Sequence, residues 1–240
     1  MQEEGLVTPA DELPVSVWVW DLDIDPPMAA ALSRWLTEDE RQRAAAFVTP
    51  ELQRRWIAAR AGMRGILASV LGVTPGSPVF SLGQHGRPYL AGIDCPYSFN
   101  LSHSDNLAAF AVCEAVVGVD VEQIKDLPEG VAAMVFSTAE ITALDAEPEA
   151  RRAGKFFQYW TAKEAVLKAL GTGLSVSGRS FTVDVTGAAT PRLIEADWKN
   201  EDTEAWRLLA FDPMPGFAGA VAVRTTRPLR LELRQWVFVL

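Results

Sequence analysis

Two long amphipathic stretches stand out among shorter apolar runs along the chain. Helical periodicity predicts one helix over Glu51–Leu71 and another over Glu149–Leu170, each followed directly by a glycine, as helix ends commonly are. Each is preceded by a hydroxyl residue with a glutamate three positions later, in Thr37–Glu40 and Ser137–Glu140, which is the pattern of a helix-capping box. The same order of helical elements is therefore predicted twice.

Short apolar runs that are typical of strands follow the long helix in each half. The first set is Val79–Leu82, Tyr97–Leu101, Leu107–Cys113 and Val116–Glu122, and the second is Ser180–Val185, Trp206–Phe211, Phe217–Arg224 and Leu229–Val239. We interpret the chain as a pseudo-duplicated α+β protein, with helices packed on largely antiparallel sheets. The segment Thr182–Leu240 is expected to provide strands that complete the second sheet.

The two long helices can be aligned by their aromatic and small residues. This alignment places Trp56 on Trp160, Arg60 on Glu164 and Arg64 on Lys168. A few matches over one helix also arise by chance, so the duplication is a hypothesis at this point. If it holds, the halves differ chemically, since the first carries arginines where the second carries an acid.

Asp120 and Glu122 stand at alternate positions of a valine-rich run that predicts a strand. Successive side chains of a strand point to opposite faces, so the two carboxylates share one face and the valines take the other. Glu164 lies on the second long helix, one turn before Lys168. If strand and helix pack together, three carboxylates converge on one point, and oxygen-only ligands suit Mg²⁺. The alternatives are a solvated strand edge and an ordinary helix ion pair between Glu164 and Lys168.

Composition limits the class of protein. The 240 residues are 49% hydrophobic and include eight tryptophans, so the chain can bury a substantial core. A net charge of -9 argues against non-specific binding of nucleic acid or anionic membranes. Two cysteines are too few for a disulfide framework, and the acidic, proline-containing start does not resemble a signal peptide. The longest apolar stretch, Leu107–Val119, is too short to span a bilayer. We expect a cytoplasmic protein.

Cationic and polar groups in the first half suggest a phosphate-bearing ligand. The first long helix carries four arginines, Arg54, Arg55, Arg60 and Arg64. A ligand lying between the halves would meet these cations on one side and a carboxylate-held metal on the other, which suits a polyphosphate. A solvated helix face is the alternative. Arg87 in a turn-rich loop, and Ser102 and His103 after an apolar strand, add further polar groups.

Together these motifs indicate a family. Phe99–Ser104, Gly118–Glu122 and Trp160–Lys168 with Gly171–Ser175, in this order, resemble the 4'-phosphopantetheinyl transferases of the larger, Sfp-like type. The resemblance runs from about Leu36 to Phe181. It implies two similar α+β subdomains related by pseudo-twofold symmetry, with coenzyme A and Mg²⁺ bound between them. We expect residues 1–117 to form the subdomain with the coenzyme A phosphate clamp. Residues 118–240 are expected to form the subdomain with the metal-binding acids and the catalytic helix.

The resemblance also implies a reaction and roles for individual residues. In such enzymes a serine hydroxyl of an acyl or peptidyl carrier protein attacks the β-phosphate of coenzyme A, and 3',5'-ADP leaves. Asp120, Glu122 and Glu164 resemble the metal-binding acids, and Glu164 is also placed to accept the serine proton. Lys168 resembles the cation that stabilises the transferring phosphoryl group or the leaving group. The coenzyme A clamp is expected to comprise Arg55, Arg87, Ser102, His103 and Lys163.

Two positions depart from the family pattern, and other functions compete. Gln123 follows the second acid where a basic residue is common, and Arg87 stands where lysine is frequent. The competing functions are a Mg²⁺-dependent phosphohydrolase of nucleotide diphosphates and a non-catalytic module that binds carrier proteins. For the transferase we expect a monomer that binds neither nucleic acid nor membrane. Its carrier protein would belong to fatty acid, polyketide or non-ribosomal peptide synthesis.

Overall fold

The computed structural model describes residues 11–83, 88–92, 95–126, 130–171, 176–186, 190–198 and 202–239. The α-helices in these ranges are α1 (Pro26–Leu32), α2 (Glu38–Ala45), α3 (Pro50–Leu71), α4 (Val131–Val135), α5 (Thr138–Asp145) and α6 (Glu149–Leu170). The strands are β1 (Leu13–Asp21), β2 (Phe80–Leu82), β3 (Pro88–Leu90), β4 (Ser98–Ser104), β5 (Leu107–Cys113), β6 (Val117–Gln123), β7 (Phe181–Asp184), β8 (Arg192–Ala196), β9 (Trp206–Phe211), β10 (Phe217–Arg224) and β11 (Leu229–Gln235).

Two main sheets form the framework of the molecule. The first has the strand order β11-β1-β5-β4 and the second has the order β6-β10-β9, while β2-β3 and β7-β8 form two-stranded sheets. Every described pair is antiparallel except β1 with β11, which run parallel. Helix α3 covers the first sheet and α6 covers the second. The predicted α+β class with two similar subdomains is confirmed.

Small branched residues join the two main sheets. Val17 and Val19 of β1 pack in one buried cluster with Val119 of β6 and Val221 of β10, and each of these four side chains is fully buried. The valine face of β6 therefore points to the other sheet, as its alternating pattern predicted. The opposite face of β6, which carries the acids, points to α6. The core between the sheets thus fixes which side of β6 is available for chemistry.

The strand pairing differs from the sequence prediction at both ends of the chain. Strand β1 was not predicted, although Leu13, Val15, Val17 and Val19 alternate with more exposed residues as in a half-buried strand. Strand β11 was expected in the second sheet, but it pairs with β1 from Leu13 opposite Leu229 to Val19 opposite Gln235. Strand β5 pairs with one edge of β1. Strand β11 pairs with the other edge and provides hydrogen-bond partners for the backbone groups of β1 there.

Each half contains a capping box and a 22-residue helix that ends at a left-handed glycine. Thr37 and Glu40 form the box before α2, and Ser137 and Glu140 form the box before α5. Helices α3 and α6 end at Gly72 and Gly171, whose φ angles are 68° and 66°. Glycine adopts these angles without the strain that a Cβ would cause. The duplication proposed from the sequence is therefore present in the structure.

The equivalence of the two long helices is not the one predicted. Each capping-box glutamate binds a buried cation of the long helix in its own half: Arg64 Nε lies 2.8 Å from Glu40, and Lys163 Nζ lies 2.7 Å from both oxygens of Glu140. Aligning the helix ends at Gly72 and Gly171 puts Arg64 on Lys163. The alignment of Arg64 with Lys168 was wrong, because it followed aromatic matches rather than the buried ion pair.

Helix α6 lies against β6 at very short range. A methyl group added to Gly118 would overlap the carbonyl oxygen of Ala165 and the backbone nitrogen of Ala169. Backbone atoms cannot rotate away from such a contact. Glycine at this position therefore sets the distance between the acid-bearing strand and the helix that carries Glu164 and Lys168.

As for membranes, no helix among the described residues is long and apolar enough to cross one.

We expect Gly118→Ala to lower the free energy of unfolding by about 1–3 kcal/mol or more, because α6 must move away from β6. Gly154→Ala is the matched control, since a Cβ on this helical glycine meets no atom within 4 Å. That control should be neutral or more stable by about 0.5–1 kcal/mol. Urea unfolding followed by tryptophan fluorescence measures both. Equal stabilities of Gly118→Ala and the wild type would contradict the close approach.

The ion pair of Glu140 and Lys163 generates a second prediction. Their side chains are 1% and 3% exposed, and Lys163 Nζ also donates to the Phe181 carbonyl oxygen at 2.7 Å. Glu140→Gln should lower the free energy of unfolding by about 3–5 kcal/mol, because it leaves a buried ammonium without its countercharge. Glutamine keeps one acceptor oxygen, so the loss also includes the backbone N–H of Ser137 or Val183 that no longer has an acceptor.

The double variant Glu140→Gln/Lys163→Met separates charge from shape. It should lose less stability than Glu140→Gln alone, since no unpaired charge remains in the core. Urea unfolding of the two variants side by side makes the comparison. Equal losses in the single and double variants would show that the ion pair does not determine stability here.

Candidate active site between the two sheets

Polar side chains of β4 contact the edge of β6 although the two strands belong to different sheets. We call Ser98, Asn100, Ser102 and Ser104 the polar ladder, because each accepts a hydrogen bond from a backbone N–H of β6. The donors are Val117 at 3.2 Å, Val119 at 2.9 Å, Val121 at 3.4 Å and Gln123 at 3.2 Å, respectively. These side chains take the place of a partner strand at the edge of β6. The ladder fixes β6 in register with β4.

Asp120 lies at the centre of this junction. Its Oδ1 accepts hydrogen bonds from Ser102 Oγ at 2.7 Å and from Lys168 Nζ at 2.6 Å, and Lys168 also donates to Ser102 Oγ at 2.7 Å. Asp120 is 2% exposed, and its Oδ2 is buried without a hydrogen-bond partner among the described residues. Burial raises the pKa of Asp120 to about 6, although Lys168 and Ser102 act to lower it. A buried carboxylate oxygen with no partner can accept a cation.

Glu122 lies close to this carboxylate, and Glu164 lies close to Glu122 and Lys168. Ser104 Oγ donates a hydrogen bond to Glu122 Oε2 at 2.5 Å. Burial raises the pKa of Glu164, the positive charge of Lys168 lowers it, and the negative charge of Glu122 raises it further. The charge of Glu122 also raises the pKa of Asp120. The three acids therefore share one electrostatic environment, with Lys168 as their cation.

The acids do not form a closed metal cage in this conformation. Across the parts of the chain that the structure describes, no group of three or more His, Cys, Asp and Glu side chains is arranged to hold a metal ion. The expected convergence of three carboxylates on one point is thus not met. Lys168 lies against Asp120 instead and balances part of its charge. Mg²⁺ commonly takes one or two carboxylates and completes its shell with water and substrate phosphate, which the orphaned oxygen of Asp120 fits.

Arg55 is anchored beside the same ends of β4 and β6. Its guanidinium makes ion pairs with Asp23 at 2.6 Å, Asp105 at 3.0 Å and Glu51 at 3.2 Å. The hydrogen bond to Asp23 is the main reason that the pKa of Arg55 is raised. Asp105 follows Ser104 in the turn after β4, has a φ of 51°, and also accepts a hydrogen bond from Gln123 Nε2 at 3.3 Å. This turn connects Arg55 with the acid-bearing strand.

His103 points away from Ser102, as alternation along β4 requires. It lines a cavity of about 550 Å³ together with Trp56, Arg60 and Leu101. Desolvation of the ring and the positive charge of Lys168 lower the pKa of His103, so its neutral form is favoured. The cavity adjoins α3 and therefore lies in the half where arginines were expected to meet phosphate.

One predicted clamp residue, Lys163, lies away from this junction, and another, Arg87, belongs to a part of the chain that the structure does not describe. Lys163 is 3% exposed, and its ammonium donates to both oxygens of Glu140 and to the Phe181 carbonyl. Those three bonds use its three N–H groups, so the position does not fit a contact with coenzyme A. Arg87 lies outside the described residues, and its predicted contact stays a prediction. Ser102 is placed at the junction, with its hydroxyl already donating to Asp120.

Sequence reasoning missed several residues that build the junction. Ser98, Asn100 and Ser104 belong to the polar ladder, and Asp23 and Asp105 hold Arg55. The ladder was visible as four polar side chains at every second position of a strand. The partners of Arg55 come from segments far apart in sequence, and no local pattern indicates them.

Comparisons with known proteins identify relatives of this chain. Residues 116–222 match the family described as the 4'-phosphopantetheinyl transferase superfamily. The 4'-phosphopantetheinyl transferase HetI of Nostoc sp. (strain PCC 7120) is 36% identical over 215 residues, which cover 86% of this chain and 87% of that protein. The 4'-phosphopantetheinyl transferase Sfp of Bacillus subtilis (strain 168) is 27% identical over 164 residues, covering 63% of this chain and 73% of that protein.

A solved structure of holo-[acyl-carrier-protein] synthase from Thermotoga maritima aligns with a TM-score of 0.38 and 24% identity, covering 48% of this chain and 64% of that chain. The family itself rests on the sequence relatives, since HetI exceeds 30% identity over most of both proteins. The matched segment contains Asp120, Glu122, Glu164 and Lys168. The chain belongs to the 4'-phosphopantetheinyl transferases, enzymes that transfer 4'-phosphopantetheine from coenzyme A to a serine of a carrier protein.

Proposed function

We propose that the transfer depends on Mg²⁺ and takes place at the junction of β4, β6 and α6. The observation that carries this proposal is the buried Oδ2 of Asp120, which lacks a hydrogen-bond partner among the described residues. The charge of Glu122 acts on both Asp120 and Glu164. Asp120, Glu122 and Glu164 would hold the ion. When bound, it would neutralise charge on the diphosphate of coenzyme A and so favour attack at the β-phosphorus.

Glu164 is proposed to accept the proton of the carrier-protein serine. As the serine oxygen bonds to the β-phosphorus, the bond from that phosphorus to the bridging oxygen breaks and 3',5'-ADP leaves. The hydroxyl proton passes to the Glu164 carboxylate, directly or through water. Burial raises the pKa of this carboxyl, which makes it a stronger proton acceptor than an exposed glutamate.

Lys168 is proposed to stabilise the negative charge that develops on the phosphates. Its ammonium already lies 2.6 Å from Asp120 Oδ1, and its side chain is 28% exposed, so it borders both the acids and solvent. A cation held at this position can interact with a phosphate oxygen that approaches the acids. Ser102 keeps Asp120 and Lys168 together through its two hydrogen bonds. The protein thus contributes position and charge rather than a covalent intermediate.

Arg55, with Arg87 and His103, is proposed to bind the phosphates of coenzyme A. Arg55 is 20% exposed and faces three carboxylates, so an incoming phosphate would replace at least one of them. Guanidinium groups bind phosphate in a bidentate manner, which makes such an exchange favourable. His103 lies on the cavity side of β4. Ser102 is proposed to act indirectly, because it orients Asp120 and Lys168.

The proposal also covers the location of the protein, its oligomeric state and the carrier protein that it modifies. We propose a cytoplasmic monomer that modifies an acyl or peptidyl carrier protein of fatty acid, polyketide or non-ribosomal peptide synthesis. The buried and coupled acids support catalysis over a role in carrier binding alone. A phosphohydrolase would use the same acids, so the product distinguishes the two reactions. Transfer adds one phosphopantetheine group, about 340 Da, to an apo carrier protein, whereas hydrolysis leaves its mass unchanged.

Glu164→Gln tests the proposed proton acceptor. The change keeps the shape of the side chain but removes its charge, so kcat should fall at least about 100-fold, and added Mg²⁺ should not fully restore it. Single-turnover transfer to an apo carrier protein, read by intact mass, is the measurement. Glu149→Gln, in the first turn of the same helix, is the control and should keep the wild-type rate. A wild-type rate in Glu164→Gln would contradict the catalytic role of Glu164. Its remaining role would then be an ion pair with Lys168 on the helix surface.

Arg55→Ala tests the proposed phosphate clamp. The apparent KM for coenzyme A should rise about tenfold with little change in kcat, because the contact is distant from the reacting bond. Arg151→Ala removes an exposed arginine that pairs with Glu147 and should change neither constant. Dephospho-coenzyme A locates the contact: if Arg55 binds the 3'-phosphate, the mutation costs much less with this substrate. Equal losses with both substrates would contradict binding at the 3'-phosphate.

A further inference from the structure

Ser104 makes two hydrogen bonds that together define the position of Glu122. Its Oγ accepts the backbone N–H of Gln123 at 3.2 Å and donates to Glu122 Oε2 at 2.5 Å. Ser104 is 9% exposed, so the hydroxyl is largely shielded from water. Both bonds reach consecutive residues of one strand, and the side chain of Glu122 is thereby tied to the backbone of its own strand through Ser104.

The direction of these bonds is determined by chemistry. A serine hydroxyl has one proton to donate, and a backbone N–H can only donate. Since the N–H of Gln123 uses the acceptor side of Ser104, the hydroxyl proton is left for the Glu122 carboxylate. A hydrogen bond to an ionised carboxylate is stronger than a neutral one. The contact therefore fixes the orientation of the Glu122 carboxylate.

Glu122 needs such a contact more than Asp120 does. Asp120 is buried and held by Lys168 and Ser102, whereas Glu122 lies near the end of β6, is only partly buried, and has a longer side chain with more rotamers. A carboxylate that binds a metal is usually oriented by a neighbouring hydrogen-bond donor, and loss of that donor weakens metal binding. Among the described residues, Ser104 is positioned to be this donor.

We infer that Ser104 is a positioning residue, which orients Glu122 for metal binding and does not itself contact coenzyme A. The inference rests on the proposed function, since it takes Glu122 as a metal-binding acid. Ser104 was absent from the site as the sequence predicted it. Its distinguishing property within the polar ladder is that it joins the edge of β6 to the side chain of Glu122.

The polar ladder supplies a matched control. Ser98 accepts the N–H of Val117 at the same distance of 3.2 Å as Ser104 accepts that of Gln123. Ser98 lies opposite the start of β6, at the other end of the strand from Glu122. Ser98→Ala should lose about 0.5–1.5 kcal/mol for its bond from Val117, and Ser104→Ala should lose more, because it removes the bond to Glu122 as well as the bond from Gln123. They should differ in metal binding.

The test is titration of Mn²⁺ into each variant with saturating coenzyme A, followed by electron paramagnetic resonance of the free ion. Ser104→Ala should raise the dissociation constant about 10- to 100-fold, while Ser98→Ala leaves it within about threefold of the wild type. Ser104→Thr retains the hydroxyl and should restore most of the affinity. The Mg²⁺ concentration for half-maximal transfer should rise in parallel for Ser104→Ala, with kcat at saturating Mg²⁺ changed much less.

Two results would overturn the inference. One is an unchanged Mn²⁺ affinity in Ser104→Ala; the other is an equal loss in Ser98→Ala and Ser104→Ala, which would assign the effect to the ladder as a whole. Thermal melts of each variant serve as the check that it is folded under the titration conditions. Failure of the proposed function is distinguishable, because it would appear in the wild type itself, as transfer that needs no divalent cation or as no binding of Mn²⁺ in the presence of coenzyme A.

Discussion

The polar ladder between β4 and β6 is the interaction on which the site depends. An unpaired strand edge inside a protein leaves backbone N–H groups without partners, which is costly. Here four side chains of β4 accept those groups, so the two sheets meet without merging into one. Because Ser102 and Ser104 also donate to Asp120 and Glu122, the same contacts that join the sheets orient the acids. The hydrogen bonds that join the two sheets and those that orient the acids therefore lie at the same strand edge.

Within the described ranges, the duplication shows why the first half does not repeat the acidic site of the second. Val17 and Val19 of β1 correspond to Val117 and Val119 of β6, which places Trp20 where the second half has Asp120. The indole of Trp20 donates to the Ala58 carbonyl and packs against Gly62 of α3. A large apolar ring thus fills the space that the acid and its cation occupy in the other half. The first half has kept the fold and contributes Ser102, Ser104 and Arg55 to the single junction.

Much of the fold could be predicted from local patterns, and the failures have physical causes. Helix α6 has the predicted bounds and α3 begins one residue earlier than predicted, since periodicity, capping boxes and terminal glycines are local signals. The pairing of β11 with β1 joins residues more than 200 positions apart, and no local pattern specifies it. Lys163 was assigned to the clamp because a lysine beside Glu164 resembles a family motif. Its burial against Glu140 follows from tertiary packing that the motif does not contain.

On the proposed function, charge balance gives the site a preference for a metal-bound diphosphate. Asp120, Glu122 and Glu164 contribute three carboxyl groups, while Lys168 is the cation bound among them, and the raised pKa of Asp120 and of Glu164 reflects burial against this excess of acids. A diphosphate that entered alone would add negative charge to a site already acidic and partly desolvated. A divalent cation that entered alone would meet the ammonium of Lys168. On the proposed function, each ligand removes the electrostatic cost of the other, so their binding should be mutually cooperative.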